Sequence, residues 1–357
     1  MPPVLRFVFT RFFFMITTLF VITIVLYGLI LLTPVEARAN LYFPKGMRQD
    51  MTEEQLEAIL ERIIVNHHLR DPFPVQYLSW ISGLVQGDWG YSPALHEDVL
   101  PSLLRATPVT AELTFYSLLL FIPLGLVSGV VAADRQTQRF DNNFRLAAFI
   151  ATSLPPFILA IILLAIFYVG LYWFPPERLS INISQDVRSP SFNAYTGFMT
   201  VDGLLNGRPD ITGDAARHLV LPVITLCLLH WATLGRVTRA TMIEELNKEY
   251  IRAARGRGIP RFRVIWRHAF RNILPPSLTS TALSAASLFT GVFMTEVIFN
   301  FHGLSRIIVG AVYSAPDTPA VMGFSIYSVI IVLFLMLVLD VLIALANPLV
   351  RNGELNS

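Results

Sequence analysis

Few side chains in this sequence are of a type and spacing that could make or break a covalent bond. A phosphate-cradling loop needs Gly-Lys-Ser/Thr, so that the lysine reaches the β- and γ-phosphates. The two lysines are Lys45, followed by Gly46, and Lys248, followed by Glu249, so neither completes it. His67 and His68 are adjacent, His230 stands alone in an apolar run where a packed, hydrogen-bonded imidazole is expected, and no His-Glu-x-x-His pattern occurs. Cys227 is the single cysteine, which excludes an internal disulfide and reads as a buried, inert thiol. The chain is therefore expected to catalyse nothing and to bind no metal. Any energy it uses must come from a partner.

The densest polar cluster is the segment 236–271. It carries ten basic residues, from Arg236 to Arg271, against Glu244, Glu245 and Glu249. Helix signals run from about Val237 to Arg255, and Gly256-Arg257-Gly258-Ile259-Pro260 then breaks the chain. In the helix that follows, Phe262, Ile265, Trp266, Ala269, Phe270 and Ile273 share one face. Arg263, Arg267 and Arg271 line another at i, i+4, i+8. Such a hinged amphipathic helix suits a groove on another protein. Charge alone equally allows a loop lying on a membrane surface.

These groups must be positioned by a strongly apolar scaffold. Of 357 residues 54% are apolar and only 15% charged, with a mean hydropathy of +0.57; soluble domains carry about 25% charged residues. Net charge is +2, so nothing suggests a nucleic-acid partner. Apolar stretches of spanning length recur near 12–33, 111–133, 146–174, 218–235, 274–299 and 321–346, the fourth being the shortest. Lipid leaves helices as the sensible form, and no period-2 alternation points to a membrane barrel. The first stretch exceeds a signal-peptide core and lacks a small-residue cleavage site, so it reads as a retained span.

Arg6 and Arg11 precede the first span. Arg135, Arg139 and Arg145 lie between the second and third, and the basic segment 236–271 between the fourth and fifth. Positive charge inside puts all of these, and both termini, in the cytoplasm. The segment 34–108 is then external. Thr52 and Gln55 form a capping-box pattern for a helix to about His68. Pro72 and Pro74 break it, a second short helix follows over Tyr77–Val85, and Gly87-Asp88-Trp89-Gly90 reads as a turn.

Ionisable groups inside apolar stretches are few: Glu112, Glu296 and Asp340. A proton- or ion-coupled carrier or a channel tends to hold several in mid-membrane, so a secondary transporter or channel is the alternative rather than the main reading. It would transport without any ATPase subunit. The stretch 277–291 is small and hydroxylated. Ser280, Ser284 and Ser287 could line a substrate pathway with Glu296 at its outer end, or could serve tight helix packing.

Glu249-Tyr250-Ile251-Arg252-Ala253-Ala254-Arg255-Gly256-Arg257-Gly258, followed by Arg267-His268-Ala269-Phe270-Arg271-Asn272-Ile273-Leu274-Pro275, closely resembles the EAA loop of ABC-importer permeases. The likeness is to the first-permease type of the dipeptide/oligopeptide/nickel family. Ala253, Ala254 and Gly258 match the motif's alanine and glycine positions, and Arg252 stands where the general motif has Glu. Arg236-Val237-Thr238-Arg239 with Glu245 is similar to the family's approach to that loop. Pro74-Val75-Gln76-Tyr77, Trp80 and Gly87-Asp88-Trp89-Gly90-Tyr91-Ser92 resemble its external segment. Ala132-Ala133 with Asp141 resembles its first cytoplasmic turn, and Ser153-Leu154-Pro155-Pro156-Phe157 the start of its third span. Glu296, Phe299, Gly303-Leu304, Asp317, Pro319 and Met322-Gly323 resemble its last external loop. Leu32-Thr33-Pro34-Val35-Glu36 and Phe301-His302-Gly303-Leu304-Ser305 depart from the usual Pro-Gly-Asp-Pro and Pro-Gly-Leu-Gly.

The resemblance implies an all-α polytopic membrane protein of six transmembrane helices with a folded extracytoplasmic segment between helices 1 and 2. Residues 1–33 would be the N-terminus and first helix, and 34–108 the extracytoplasmic segment. Residues 109–350 would be the permease core with the coupling loop 236–271, and 351–357 a cytoplasmic tail. The expected setting is the bacterial or archaeal cytoplasmic membrane. Implied partners are membrane lipid, a second homologous permease, two cytoplasmic ABC ATPases that hold the ATP and Mg, and an extracytoplasmic substrate-binding protein. The implied ATPase-coupling residues are Arg252, Ala253, Ala254, Gly258, Ile259, Phe262, Ile265, Trp266 and His268. Peptides lead as cargo, with nickel complexes, glutathione and oligosaccharides open.

The topology is testable with single cysteines at Gln55 and Arg261 in sealed vesicles. A membrane-impermeant reagent should label them from opposite sides; labelling from the same side would sink the six-span arrangement.

Overall fold

The computed structural model describes residues 3–42, 52–313 and 317–346; the predicted tail 351–357 lies outside the described residues. The helices are α1 (Pro3–Ile30), α2 (Val35–Ala39), α3 (Glu53–Asn66), α4 (Phe73–Val85), α5 (Val99–Asp134), α6 (Arg139–Ser153) and α7 (Pro156–Leu163). They continue with α8 (Ile181–Val187), α9 (Met199–Leu205), α10 (Pro209–Leu246), α11 (Glu249–Gly256), α12 (Arg261–Arg263), α13 (Phe270–Ile298), α14 (Leu304–Tyr313) and α15 (Thr318–Ala346). A two-residue ribbon pairs Tyr91 with Asp98 and Ser92 with Glu97.

Among the described residues five helical runs are long and apolar enough to span a membrane, and there are six if α6 and α7, bent by 101° at the break between them, count as one span. The apolar run 146–174 is thus not one straight span. Leu154 and Pro155 are extended, because a residue before proline is pushed out of the helical region. Pro156 then opens α7 at a position that needs no amide hydrogen. A π-helical turn over Leu164–Gly170 completes the second arm. The fourth span is not the shortest: α10 has 38 residues. Its polar ends, with Arg217, His218, Arg236 and Arg239, lower the hydropathy without ending the helix: Arg217, His218 and Arg239 bond to protein groups, and Arg236 is exposed.

The described residues form two compact units: 3–11, 109–301 and 335–346 make one, and 12–42, 52–108, 302–313 and 317–334 the other. These cut across the four segments drawn from the sequence. In the first, α10 is the hub, packing on α13, α9, α6 and α7. Two thirds (67%) of its most apolar window is buried, against 17% for α1. Its core joins Leu113, Phe121, Leu221, Leu226, Leu234, Leu288, Val292 and Phe299. Gly125 and Gly129 lie four residues apart on α5, and a methyl on Gly129 would stand 2.6 Å from the Gly235 carbonyl oxygen. One on Gly235 would stand 2.8 Å from the Phe144 ring. Small residues let the backbones of α5 and α10 approach and seat Phe144 of α6 against them.

In the second unit, Tyr27, Ile30, Leu41, Tyr77, Trp80, Met322 and Ile326 form the core. Gln55 accepts the Thr52 amide and closes the start of α3. The second outer helix begins at Phe73, earlier than Tyr77, because Pro72 caps it and Pro74 occupies its first turn. Buried Asp317 takes the Ser92 hydroxyl and the amides of Ala94 and Ala320, fixing the ribbon to the start of α15.

Gly235→Leu should therefore destabilise the fold by about 1–3 kcal/mol, the usual cost of overpacking. Gly213→Ala, exposed in α10 with open space around it, should be neutral or stabilising by up to about 1 kcal/mol. Thermal unfolding in detergent, followed by light scattering, reads both.

Candidate functional site

The segment after α10 folds as two short helical pieces around a sharp turn. The chain breaks at Asn247-Lys248, so the helix expected over Val237–Arg255 is two helices, α10 and α11. Glu245, 5% exposed, holds the break together. It accepts from Lys248 Nζ at 2.6 Å, Tyr250 OH at 2.6 Å and Asn272 Nδ2 at 2.9 Å. Asn272 also donates to Tyr250 OH at 3.0 Å. Burial, and then the Glu245 carboxylate, push the Tyr250 hydroxyl up to about 12. The same carboxylate holds Lys248 above the usual lysine range. Both therefore stay protonated and donate. One carboxylate thus ties the end of α10, the start of α11 and the start of α13.

The far end of α11 closes by backbone. Ile259 N–H donates to Ala254 O at 3.3 Å and Gly258 N–H to Arg255 O at 3.0 Å, the paired 6→1 and 5→2 bonds of a Schellman turn. Gly258 has φ +75° with open space where a Cβ would be, so backbone conformation, not crowding, requires glycine there. Pro260 then starts α12, and Arg261 donates to the Asp134 carboxylate at 2.7 Å and to its carbonyl at 2.6 Å. A π-helical turn, Val264–Ala269, joins α12 to α13. The helical run from Arg261 to Ile298 is long and apolar enough to be one membrane span.

The expected coupling residues divide. Arg252, Ala253, Gly258 and Phe262 are exposed, Phe262 by 74%, and Ile259, Trp266 and His268 are half-buried. Ala254 and Ile265 are buried with Ile251, Val264, Ala269 and Ile273 against Val130, Ala133 and Met242. On the apolar face of the helix after Gly258, Ile265, Ala269 and Ile273 thus pack into this chain's own core, while Trp266 and Phe270 are half-buried. What remains outward is Phe262, its ring tilted against that of Trp266, among exposed arginines.

The expected pathway serines share one face of α13 but differ in burial. Ser280 is half-buried, Ser284 is 5% exposed and faces the interior, and Ser287 is exposed. Thr279, Leu283, Ser287, Thr290, Met294 and Val297 make the exposed stripe of α13. Glu296 is fully buried and accepts the Thr110 hydroxyl, so it braces α13 against α5.

Two buried clusters escape sequence reasoning. Glu112 takes both Arg178 Nε and NH2, and also the Thr200 amide and hydroxyl. Asp141, fully buried, takes a bidentate pair from Arg239 and the Thr137 amide. The only sequence signal for either was a carboxylate at the edge of an apolar run. Among the described residues no group of three or more His, Cys, Asp or Glu could hold a metal ion.

This arrangement is that of a multi-pass membrane protein. Residues 122–352 match the family described as the binding-protein-dependent transport system inner membrane component, and the chain belongs to that family. It is 32% identical to the di/tripeptide transport system permease protein DppB of Pseudomonas aeruginosa over 98% of this chain and 99% of that one. It is 33% identical to the probable D,D-dipeptide transport system permease protein DdpB of Escherichia coli, over 83% and 86%. It is 30% identical to the oligopeptide transport system permease protein AppB of Bacillus subtilis, over 91% and 94%. The chain is an inner-membrane permease subunit of an ABC import system.

If Glu245 secures α11, Glu245→Ala should expose it. Each charge-assisted bond lost is worth about 1.5–3 kcal/mol, so tryptic cleavage at Arg252 and Arg255 should accelerate roughly tenfold or more. Glu245→Gln, which keeps an acceptor for Tyr250, should fall between. Peptide mapping of vesicles with this face outward measures it.

Proposed function

We propose that this chain moves peptides, delivered by an extracytoplasmic binding protein, through a channel shared with a second, related permease. Two cytoplasmic ATPases drive it through the α11–α12 turn. Their names tie the similar proteins to dipeptides and oligopeptides, which supports peptides as cargo. The basic segment 236–271 and both termini lie in the cytoplasm on this reading, by positive charge inside. ATP and Mg sit on the partner subunits, and this chain contributes no catalytic group and no cofactor.

The observation that carries the reading is mechanical. α11 is fastened to its own chain on one side, by Glu245 and by Ile251 and Ala254. It leaves Arg252, Ala253 and the Gly258 turn bare on the other. The turn leads into the helix that becomes the fifth span. A displacement of α11 by a closing ATPase pair is passed to α13, and through its packing on α10 to the permease core, giving alternating access by rigid-body rocking.

Ala253→Asp should abolish uptake and weaken ATPase co-purification at least tenfold, with membrane insertion retained. Ala254→Asp would bury a charge inside this chain and should lower folded yield first. Gly258→Ala should lower uptake while the ATPase stays bound, because only the turn is strained. An Ala253→Asp complex that assembles and transports normally would refute the docking role.

A further inference from the structure

An open depression of about 620 Å³ lies between α6 and α10, lined by Asn142, Arg145, Arg236 and Arg239, with Phe144, Leu146 and Phe149. Arg239 is committed to Asp141. Arg145 and Arg236 make no ion pair among the described residues and are exposed. Three arginines against one aspartate leave a local excess of two positive charges. The surface beside them is apolar: Leu146 is 60% exposed, Phe149 67% and Ile150 52%. Beyond the bend, α7 presents Phe157, Ile158, Ile161 and Ile162 outward, as a lipid-facing helix does. Paired positive charge where such a helix begins, with bare hydrocarbon alongside, complements an amphiphile with an anionic head.

We propose that this depression binds the phosphate headgroup of an anionic phospholipid. Arg145 and Arg236 meet the phosphate, and one acyl chain runs along Leu146 and Phe149 toward α7. A basic pocket at the edge of a helix bundle is a recurrent headgroup site. An acidic protein segment would gain the arginines but nothing from the exposed leucine and phenylalanines. Arg239 serves the site indirectly: its pair with Asp141 fixes α6 on α10 and so sets the spacing of the other two arginines. The inference rests on α7 being in the membrane and not on the coupling role of α11.

The test is native mass spectrometry of the assembled complex, extracted from vesicles of phosphatidylcholine with or without phosphatidylglycerol. The wild type should retain phosphatidylglycerol on this subunit in preference to phosphatidylcholine. R145Q/R236Q should retain it roughly 30-fold less, about fivefold per arginine, and R145K/R236K should restore most of it. Arg188→Gln, at an exposed arginine in the segment assigned to the outside, should change nothing, and millimolar inorganic phosphate should not displace the lipid. Equal retention of phosphatidylcholine, unchanged retention in R145Q/R236Q, an equal loss in Arg188→Gln, or displacement by phosphate would each overturn the proposal. So would a partner subunit found cross-linked to position 145 in place of lipid.

Discussion

An ionised carboxylate cannot stand alone in a medium that does not solvate it, and this constraint organises the first compact unit. Glu112, Asp141 and Glu245 are each at least 95% buried, and each is met by a cation and at least one further donor. Breaking a buried pair by removing one partner typically costs 3–5 kcal/mol, so each cluster fixes elements far apart in sequence. Glu112 brings the 175–215 segment onto α5. Asp141 fixes α6 to α10. Glu245 fixes α11 to α10 and α13. The same condition applies to the backbone in lipid, which is why the bend at Leu154-Pro155 must be short and both of its arms must be helical.

Between these pins, small residues set how closely the helices approach. Gly129 and Gly235 leave room only for backbone and for the Phe144 ring. Thr238 donates to Ser277 at 3.2 Å where α10 meets α13. The result is a closely packed α10–α13 pair, joined through α11 and the glycine turn at Gly258. On the proposed reading, the contacts of Glu245 and Asp134 at either side of α11 would pass a push on it to the span.

Much of this was legible in the sequence. Apolar length against bilayer thickness located every span, and Gly-x-Gly-x-Pro located the turn. What was not legible has physical causes. Hydropathy windows shortened α10 because Arg217, His218 and Arg239 near its ends bond to protein groups that no window sees. Helical periodicity showed that Ile265, Ala269 and Ile273 share a face but cannot say whose core that face enters; it enters this chain's own. The Ser280–Ser284–Ser287 series stays ambiguous for a similar reason, since a hydroxyl on a small residue suits packing as well as a pathway. Glu112 and Arg178 are 66 residues apart, and no local pattern links them.

The central claim is that the surface left bare by α11 and the turn, and not the buried face behind it, receives the ATPase. A photo-cross-linking residue placed at Phe262 in the assembled complex tests this most directly, with Leu283 on the exposed stripe of α13 as the comparison. The account predicts an ATPase adduct from position 262, with a yield that changes on ATP binding, and none from 283. Absence of an ATPase adduct at 262, or equal adducts from both positions, would contradict it.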